Sequence, residues 1–535
     1  MKLTHISIHN FRGILDASMA FHPYSLIVGA NNSGKSTIID CIRAFYEKDG
    51  FKFKKEADFP LKGATDQESW VELTFALTDE EHESLKDEYK TDSKSLKVRK
   101  YFQTNEKLDD GKNAAGWILG YKSDGVLSNT PFYGAKNVQS GKFGDLIYIP
   151  AISKVDEHTK LSGPSALRDL ITNIMSDVVE GSDAYEALAN SVKAFADSVR
   201  AIETEDKRSL LSFESDINEM LASWQARFKL EFTPPSTAEI IKSMLRWSIR
   251  DNHHERPQGV EYFGSGFQRH FIYSLIQLGA KYVPQKVSKK AKDFSPSLNL
   301  VLFEEPEAFL HPPQQVDLAR NLVKVSDAED WQIVCATHSA HFLSRNAARI
   351  PAIIRAQRID GIVSIYQIDD AQWKTIVDAN QSIQEVAKKY PQLAKDMQAD
   401  DRRPEMESIK YFLWLNPDRA GMLFAQHVLL VEGASEAALI NRLLDDGQLS
   451  LPQGVYVLDS LGKYNIHRFM NILSGLGVSH AVLIDDDNNS NKHEGLNQLI
   501  LDSRNAQFTR KVVTIPNNLE NLLGVPHPGR VDRKP

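Results

Sequence analysis

The chain has 535 residues and a formal net charge of −8, from 63 lysines and arginines against 71 aspartates and glutamates. That length predicts several domains with a core in each, and the charge counts against a purely electrostatic nucleic-acid binder. No stretch is long and apolar enough for a bilayer-spanning helix, and two cysteines, Cys41 and Cys335, are too few for a four-cysteine zinc site; their apolar surroundings suit reduced thiols in a cytoplasmic protein.

The opening Met1–His9 alternates apolar and polar residues as a strand does and lacks a secretory hydrophobic segment. Ile6 to Gly13 reads as an edge strand closed by an Asn-Phe-Arg-Gly turn. Tyr24–Val28 predicts a buried strand, Gly29–Ser36 fits G-x-x-x-x-G-K-[ST], and Thr37–Tyr46 carries apolar residues at helical spacing. In that context the glycines let backbone N–H groups wrap phosphates, with the helix N-terminus facing the negative charge. Asn31, Asn32, Gly34, Lys35, Ser36 and Thr37 are therefore the expected ATP-binding residues. Lys35 would hold the β- and γ-phosphates and Ser36 would contact Mg²⁺.

Ile147–Ala151 predicts a further strand of the same layer. From Ser165 to Phe232 the chain is helix-like: Leu167, Leu170, Ile171, Ile174 and Val178 share one face, as do Leu188, Val192, Phe195 and Val199. These helices either pack on their own head or form an insertion for dimerisation; they are too short and irregular for a long coiled coil. Phe263–Gln268 resembles the signature loop of ABC ATPases, whose Ser265 and Gly266 would touch the γ-phosphate of ATP bound to the opposite protomer. The basic run from Lys286 to Lys292 is either a solvated loop or a local nucleic-acid patch. Leu298–Phe303 is a buried-strand run ending in Glu304-Glu305-Pro306-Glu307, which resembles a Walker B element, with Glu in place of the commoner first Asp. Glu304 would organise Mg²⁺, and Glu305 would orient and deprotonate the attacking water. Gln332–Thr337 predicts a strand ending at His338, where a switch histidine senses γ-phosphate in such ATPases.

Asp400–Pro404 is polar and proline-broken, a linker signal. Val428–Val431 then predicts a strand ending in Glu432 and Gly433. Val455–Asp459 leads to a turn at Gly462-Lys463, and Ala481–Ile484 ends in Asp485-Asp486-Asp487. Parallel sheets carry reactive groups at the carboxyl ends of their strands. Glu432, Asp485 and Asp487 are thus expected to converge on a hard cation, Mg²⁺ or Mn²⁺, of the kind used for phosphoryl chemistry on nucleic acid. Glu436, one turn along the following helix, faces the same site, while Asp486 points to the opposite side.

Glu432-Gly433 together with Asp485 and Asp487 resembles a TOPRIM domain, and an ABC-type head followed by a TOPRIM resembles the OLD-family nucleases, a plan shared by the Gabija A-subunit and retron-associated effectors. The resemblance implies an α/β fold class. An ABC- or RecF-like P-loop ATPase head spans 1–395, with a helical dimerisation insertion at about 160–235, followed by a linker over 396–420 and a Rossmann-like TOPRIM domain over 421–535. It implies Glu432, Glu436, Asp485 and Asp487 as metal ligands, with Glu432 also suited to proton transfer. Glu520 is either an additional carboxylate for a second metal or an ordinary helix-start glutamate. Lys534, with Lys463 as a substitute, would stabilise charge at the scissile phosphate. The implied protein is an ATP-regulated, Mg²⁺- or Mn²⁺-dependent DNA endonuclease of prokaryotic anti-phage defence, cytoplasmic and homodimeric or a higher homo-oligomer. Two alternatives stand beside it: an ATPase sensor or scaffold whose TOPRIM is controlled by a protein or RNA partner, and a RecF-like DNA-repair ATPase.

Overall fold

The computed structural model describes residues 1–47, 50–134, 143–151, 182–204, 209–222, 226–230, 245–251, 254–282, 296–343, 347–390, 417–487 and 491–525, with a few single positions between them. Lys534 and its basic neighbours Arg530 and Arg533, candidates for contact with nucleic acid, lie outside the described residues, as do the basic run 286–292, most of the expected linker, and Leu167, Leu170, Ile174 and Val178. The chain divides into two compact units, one made of Met1–Ala151 with Val287–Pro535 and the other of Ile152–Lys286.

In the first unit, the alternating N-terminal residues form strand Lys2–Phe11, paired antiparallel with Ile14–Ala20 and Ser69–Ala76. Ser95–Gln103, Ile118–Tyr121 and Leu127–Pro131 complete a six-stranded antiparallel sheet. The P-loop strand Tyr24–Val28 lies instead in a second six-stranded sheet. Its parallel neighbours are Trp331–Ala336 on one side and Ile353–Ile359 on the other, and Asn299–Glu304 and Asp145–Ile149 follow beyond Trp331–Ala336. Tyr24–Val28 and Trp331–Ala336 are buried at every residue, as the near-continuous apolar runs of a sheet covered on both faces should be, Ser25 and Gln332 being the polar exceptions. Ile362–Gln367 closes one edge antiparallel to Ile353–Ile359, forming a hairpin. Helix Lys35–Tyr46 packs Ile38, Ile39, Ile42 and Phe45 into the core that also takes Ile6, Ile8, Val71 and Leu73 from the antiparallel sheet and Leu300, Leu302 and Val334 from the parallel one.

Further along the same unit stands a four-stranded, wholly parallel sheet in the order Val455–Asp459, His427–Val431, Ser479–Asp485, Thr509–Ile515. Helices Ala434–Asp445, Lys463–Gly475 and Asn491–Asp502 connect these strands. His427–Val431 and Ser479–Asp485 are direct neighbours in register, Val431 opposite Leu483, so their carboxyl ends emerge side by side. Helix Ile383–Lys389 seals this layer, with Ile383 and Ala387 packed on Leu496 and Leu499.

In the second unit, helices Asp183–Ala201 and Leu210–Leu221 are joined by an Arg200–Glu214 ion pair of 2.7 Å. Phe195, Leu211, Phe213 and Met220 are exposed on them. Ser265 and Gly266 are the first residues of helix Ser265–Tyr282, not part of a loop, and Ser265 is solvent-exposed.

Candidate functional site

The P-loop turns through left-handed backbone at Gly29, Asn32 and Gly34, with φ of 143°, 61° and 104°. A Cβ on Gly34 would stand 2.7 Å from Val363 of the edge hairpin, so glycine is required there by space as well as by φ. Lys35 donates through Nζ to the carbonyls of Gly29 and Ala30 at 3.1 and 2.9 Å, across the loop. Burial pulls its ammonium down to about 8, against the opposing pull of Glu305, Glu307 and Glu304. The acids that end strand Asn299–Glu304 thus act on the P-loop lysine. Ser36 is exposed on the first helical turn.

Glu304 accepts from Tyr148 Oη at 2.9 Å, and its other oxygen, Oε1, is buried with no partner. Glu305 sits in left-handed backbone, φ 45°, an uncommon state for a residue with a side chain. Its Oε1 is 3.9 Å from His338 Nε2. Burial and then the neighbouring Lys35 push His338 down toward the neutral imidazole, with Glu305 opposing. Glu307, which the sequence reading left without a role, accepts from Thr337 Oγ1 at 2.7 Å and from the His338 N–H at 2.6 Å, tying the two strand ends together. Beside the P-loop lies a cavity of about 440 Å³ lined by Arg12, Asn32, Thr37, Lys62, Arg358 and Val363, among others. That volume is in the range of small-ligand sites. Arg12 is braced by Asp58 and Asp40 at 2.8 and 2.7 Å, and Arg358 donates to Asn32 Oδ1 at 3.0 Å.

The second site is at the carboxyl ends of His427–Val431 and Ser479–Asp485. Glu432 Oε1 accepts from the Asp485 N–H at 2.7 Å. Lys463, the first residue of helix Lys463–Gly475, reaches into the cluster and is 5 % exposed. Its Nζ lies 3.4 Å from Glu432 Oε1 and 3.1 Å from Asp487 Oδ2, and it donates to the Asp485 carbonyl. Lys463, expected as a substitute for Lys534, is a cation that stands among the carboxylates, while Lys534 lies outside the described residues. Asp487 is in left-handed backbone, φ 50°, and its Oδ2 is 3.0 Å from His493 Nδ1. Burial opposes its charge, but His493 and Lys463 outweigh that and hold it down at about 2. Asp485 goes the other way: burial, then Glu432 and Asp487, push it up to about 7. Burial also raises Glu432, with Lys463 opposing.

Glu436 is buried in the same neighbourhood, but one of its oxygens accepts from the Gly433 N–H at 3.0 Å, closing the helix N-terminus. Glu520 is 5 % exposed on the short helix Leu519–Leu523, whose Leu519 N–H favours the Asp485 carboxylate. Asp486 is directed elsewhere: Asn497 Nδ2 donates to its Oδ1 at 3.4 Å and to its backbone carbonyl at 3.0 Å. Among the described residues no three His, Cys, Asp or Glu side chains enclose a cation as they stand. The donors nevertheless suit one. They are hard oxygens, the Asp485 Oδ1 is buried without a partner, and the Lys463 ammonium already stands where positive charge is wanted.

The family model of the AAA ATPase domain matches residues 1–122 and 112–343. The chain belongs to that family. The TOPRIM domain model of overcoming lysogenization defect-like proteins matches residues 423–487, so the carboxylate site lies in an OLD-like TOPRIM domain. The Old nuclease of Escherichia phage P2 is 23 % identical over 509 residues, covering 92 % of this chain and 78 % of that relative. Endonuclease GajA of Bacillus cereus (strain VD045) is 22 % identical over 505 residues, covering 92 % and 76 %. A solved SMC head bound to the C-winged helix domain of ScpA overlaps 70 % of this chain and 99 % of its own at 13 % identity and a TM-score of 0.40, a likeness too slight to bear on topology or function.

Proposed function

We propose that this AAA ATPase with an OLD-like TOPRIM is an ATP-regulated DNA endonuclease whose cleavage centre is built on Glu432, Asp485 and Asp487. The observation that carries the reading is the meeting of these three acids with a buried lysine at adjacent ends of two parallel strands. Mg²⁺ or Mn²⁺, held by Asp485, Asp487 and Glu432, would activate water and neutralise the leaving oxygen. Glu436 and Glu520 border that set. Lys463 supplies fixed positive charge beside the scissile phosphate, in the role first given to Lys534. Among the described residues no helix is long and apolar enough to cross a membrane. DNA contact through phosphates would make binding fall steeply with salt. Pairing of two heads around ATP, with Ser265 and Gly266 facing the other protomer's nucleotide, agrees with the exposed start of helix Ser265–Tyr282. A place in anti-phage defence is what the family resemblance implies.

In the head, Lys35 and the P-loop amides bind the phosphates, Ser36 and Glu304 would hold the accompanying Mg²⁺, and the orphaned Glu304 Oε1 suits that task. Glu305 takes the proton of the attacking water, and near-neutral His338 beside it donates to the γ-phosphate. Glu307 keeps His338 in place. Glu307→Ala is expected to lower ATP turnover about 10- to 100-fold through misplacement alone, with KM changed less than about threefold. Steady-state kinetics separate the two; a rise in KM at constant kcat would refute the positioning role.

The deciding experiment incubates plasmid with the full chain and Mg²⁺ or Mn²⁺, with and without ATP. Asp485→Ala is expected to abolish cleavage while sparing ATP hydrolysis, and Lys35→Ala to abolish nucleotide binding and with it the response of cleavage to ATP. Cleavage surviving in Asp485→Ala would defeat the nuclease assignment. A wild type silent alone and active only with a protein or RNA partner would favour the sensor reading.

A further inference from the structure

The edge hairpin Ile353–Gln367 touches both sites through two of its cross-strand pairs. Arg358 is paired with Val363, and Arg355 with Tyr366. Successive residues of a strand face opposite sides, so pairs three positions apart look in opposite directions. The Arg358–Val363 pair meets the P-loop: Arg358 bonds Asn32, and Val363 fills the space over Gly34 and lines the nucleotide cavity. The Arg355–Tyr366 pair meets the TOPRIM domain.

There, the Arg355 side chain is 2 % exposed. Its guanidinium donates to the carbonyls of Leu423 and Ala425 at 3.3 and 3.0 Å, and to those of Leu476 and Gly477 at 3.1 Å each. Among the described residues the one charged-group influence on it is Tyr366, not a carboxylate, and a buried guanidinium without a counter-ion is costly unless its donors are satisfied. Carbonyl capture of this kind needs the planar five-donor fork, which lysine lacks. The captured carbonyls are specific ones. Leu423 and Ala425 lie just before strand His427–Val431, which delivers Glu432, and Leu476 and Gly477 just before Ser479–Asp485, which delivers Asp485. Tyr366 packs beneath Gly477, where a Cβ would come within 2.4 Å of its ring, and lies edge-on to Phe508. One side chain thus fixes the relative positions of the two strand starts whose other ends carry the nuclease acids.

We propose that this hairpin is the coupling element between the nucleotide site and the nuclease centre, with Arg355 as its positioning residue on the TOPRIM side. The inference rests on the regulated-nuclease reading above and adds to it a path. Nucleotide entering the cavity bears on Arg358 and Val363. The paired strands carry the displacement rigidly to Arg355 and Tyr366, and the two TOPRIM strands shift against one another, changing how Glu432 meets Asp485. No contact of Arg355 with DNA, metal or nucleotide is required.

The test uses the full chain, wild type beside Arg355→Lys and Tyr366→Ala, with ATP and a non-hydrolysable analogue. Hydrogen exchange should show nucleotide-dependent changes at the P-loop and at amides 427–432 and 479–485 in wild type. Both variants should keep the P-loop change and lose the TOPRIM one. In cleavage assays the nucleotide effect on rate, expected within the roughly 5- to 150-fold of allosteric couplings, should shrink to about twofold or less in the variants, while ATP KM stays put. Should Arg355→Lys fail to fold, Tyr366→Ala carries the comparison, and the wild-type exchange pattern stands by itself. Variants that respond to nucleotide as wild type does would overturn the proposal and leave the regulated nuclease intact. A wild type whose cleavage ignores nucleotide, yet whose TOPRIM exchange responds through Arg355, would sink the regulated nuclease and leave the coupling intact. Absence of any nucleotide-dependent exchange at the TOPRIM strands in wild type would overturn the coupling.

Discussion

Replacing Lys463 by methionine is expected to destabilise the metal-free protein by about 3–5 kcal/mol and to lower cleavage about 10²- to 10³-fold. Methionine keeps the length and the apolar stem, so the substitution chiefly removes charge. In the wild type the ammonium stands 3.4 Å from Glu432 and 3.1 Å from Asp487 and donates to the Asp485 carbonyl, all with little solvent nearby. Without it, the partly buried Glu432 and Asp487 lose their shared ammonium, and deleting one partner of such a pair is the larger energetic loss. The cleavage loss follows from removing a fixed cation beside developing negative charge. The two effects separate through the metal. A divalent cation can take over the missing charge, so Mn²⁺ should raise the melting temperature of Lys463→Met more than that of wild type. Thermal shift with and without Mn²⁺ measures this. Equal shifts in the two proteins would mean that ammonium and cation act at separate places.

How far the sequence reveals such a site depends on whether its signal is local. The P-loop was legible because its chemistry is packed into eight consecutive residues between a strand and a helix. Glu432 and Asp485 were legible because each ends an apolar run, and neighbouring parallel strands then bring the two together. Lys463 was visible as a turn residue and as no more than a substitute for Lys534, since its place is set by how helix Lys463–Gly475 docks across the sheet. Glu436 illustrates a competition that spacing does not resolve. The position that faces Glu432 is also the third helical residue, where a glutamate satisfies an orphan N–H, and one oxygen does so here. The cavity beside the P-loop was the least legible part: Arg12, Lys62 and Arg358 are brought to the P-loop from three separate segments. Arg355 has no distinguishing sequence signal: strand Ile353–Ile359 carries a second arginine, Arg358, and nothing in the spacing says which of the two is the buried anchor.

The affinity of the nuclease centre for Mn²⁺ is expected to fall about tenfold for each pH unit below about 7. Asp485 is the cause. Burial, reinforced by Glu432 and Asp487, lifts its carboxyl from 3.8 to about 7, whereas Asp487 is held at about 2 and stays charged across the range. For a group whose folded pKa is raised, the stabilising contribution is complete below the unfolded pKa and is lost as pH rises through the folded one. The metal-free protein should therefore lose stability on this account between about pH 4 and pH 8, as Asp485 ionises beside two other acids. Cation binding needs the ionised form, so below about 7 each binding event must release one proton, and above it none. Isothermal titration with Mn²⁺ in buffers of different ionisation enthalpy counts that proton directly, and the melting-temperature gain from Mn²⁺ should be larger at pH 8 than at pH 6. Asp485→Asn removes the titrating group and should flatten both profiles while weakening binding throughout. A wild type that binds Mn²⁺ equally well at both pH values, with no proton released at the lower one, would place the cation away from Asp485. The same linkage predicts that, at the acid end, the lysine and the proton together hold the centre closed to metal. Cation entry then depends on how the two strands present Glu432 to Asp485 as much as on the supply of the ion.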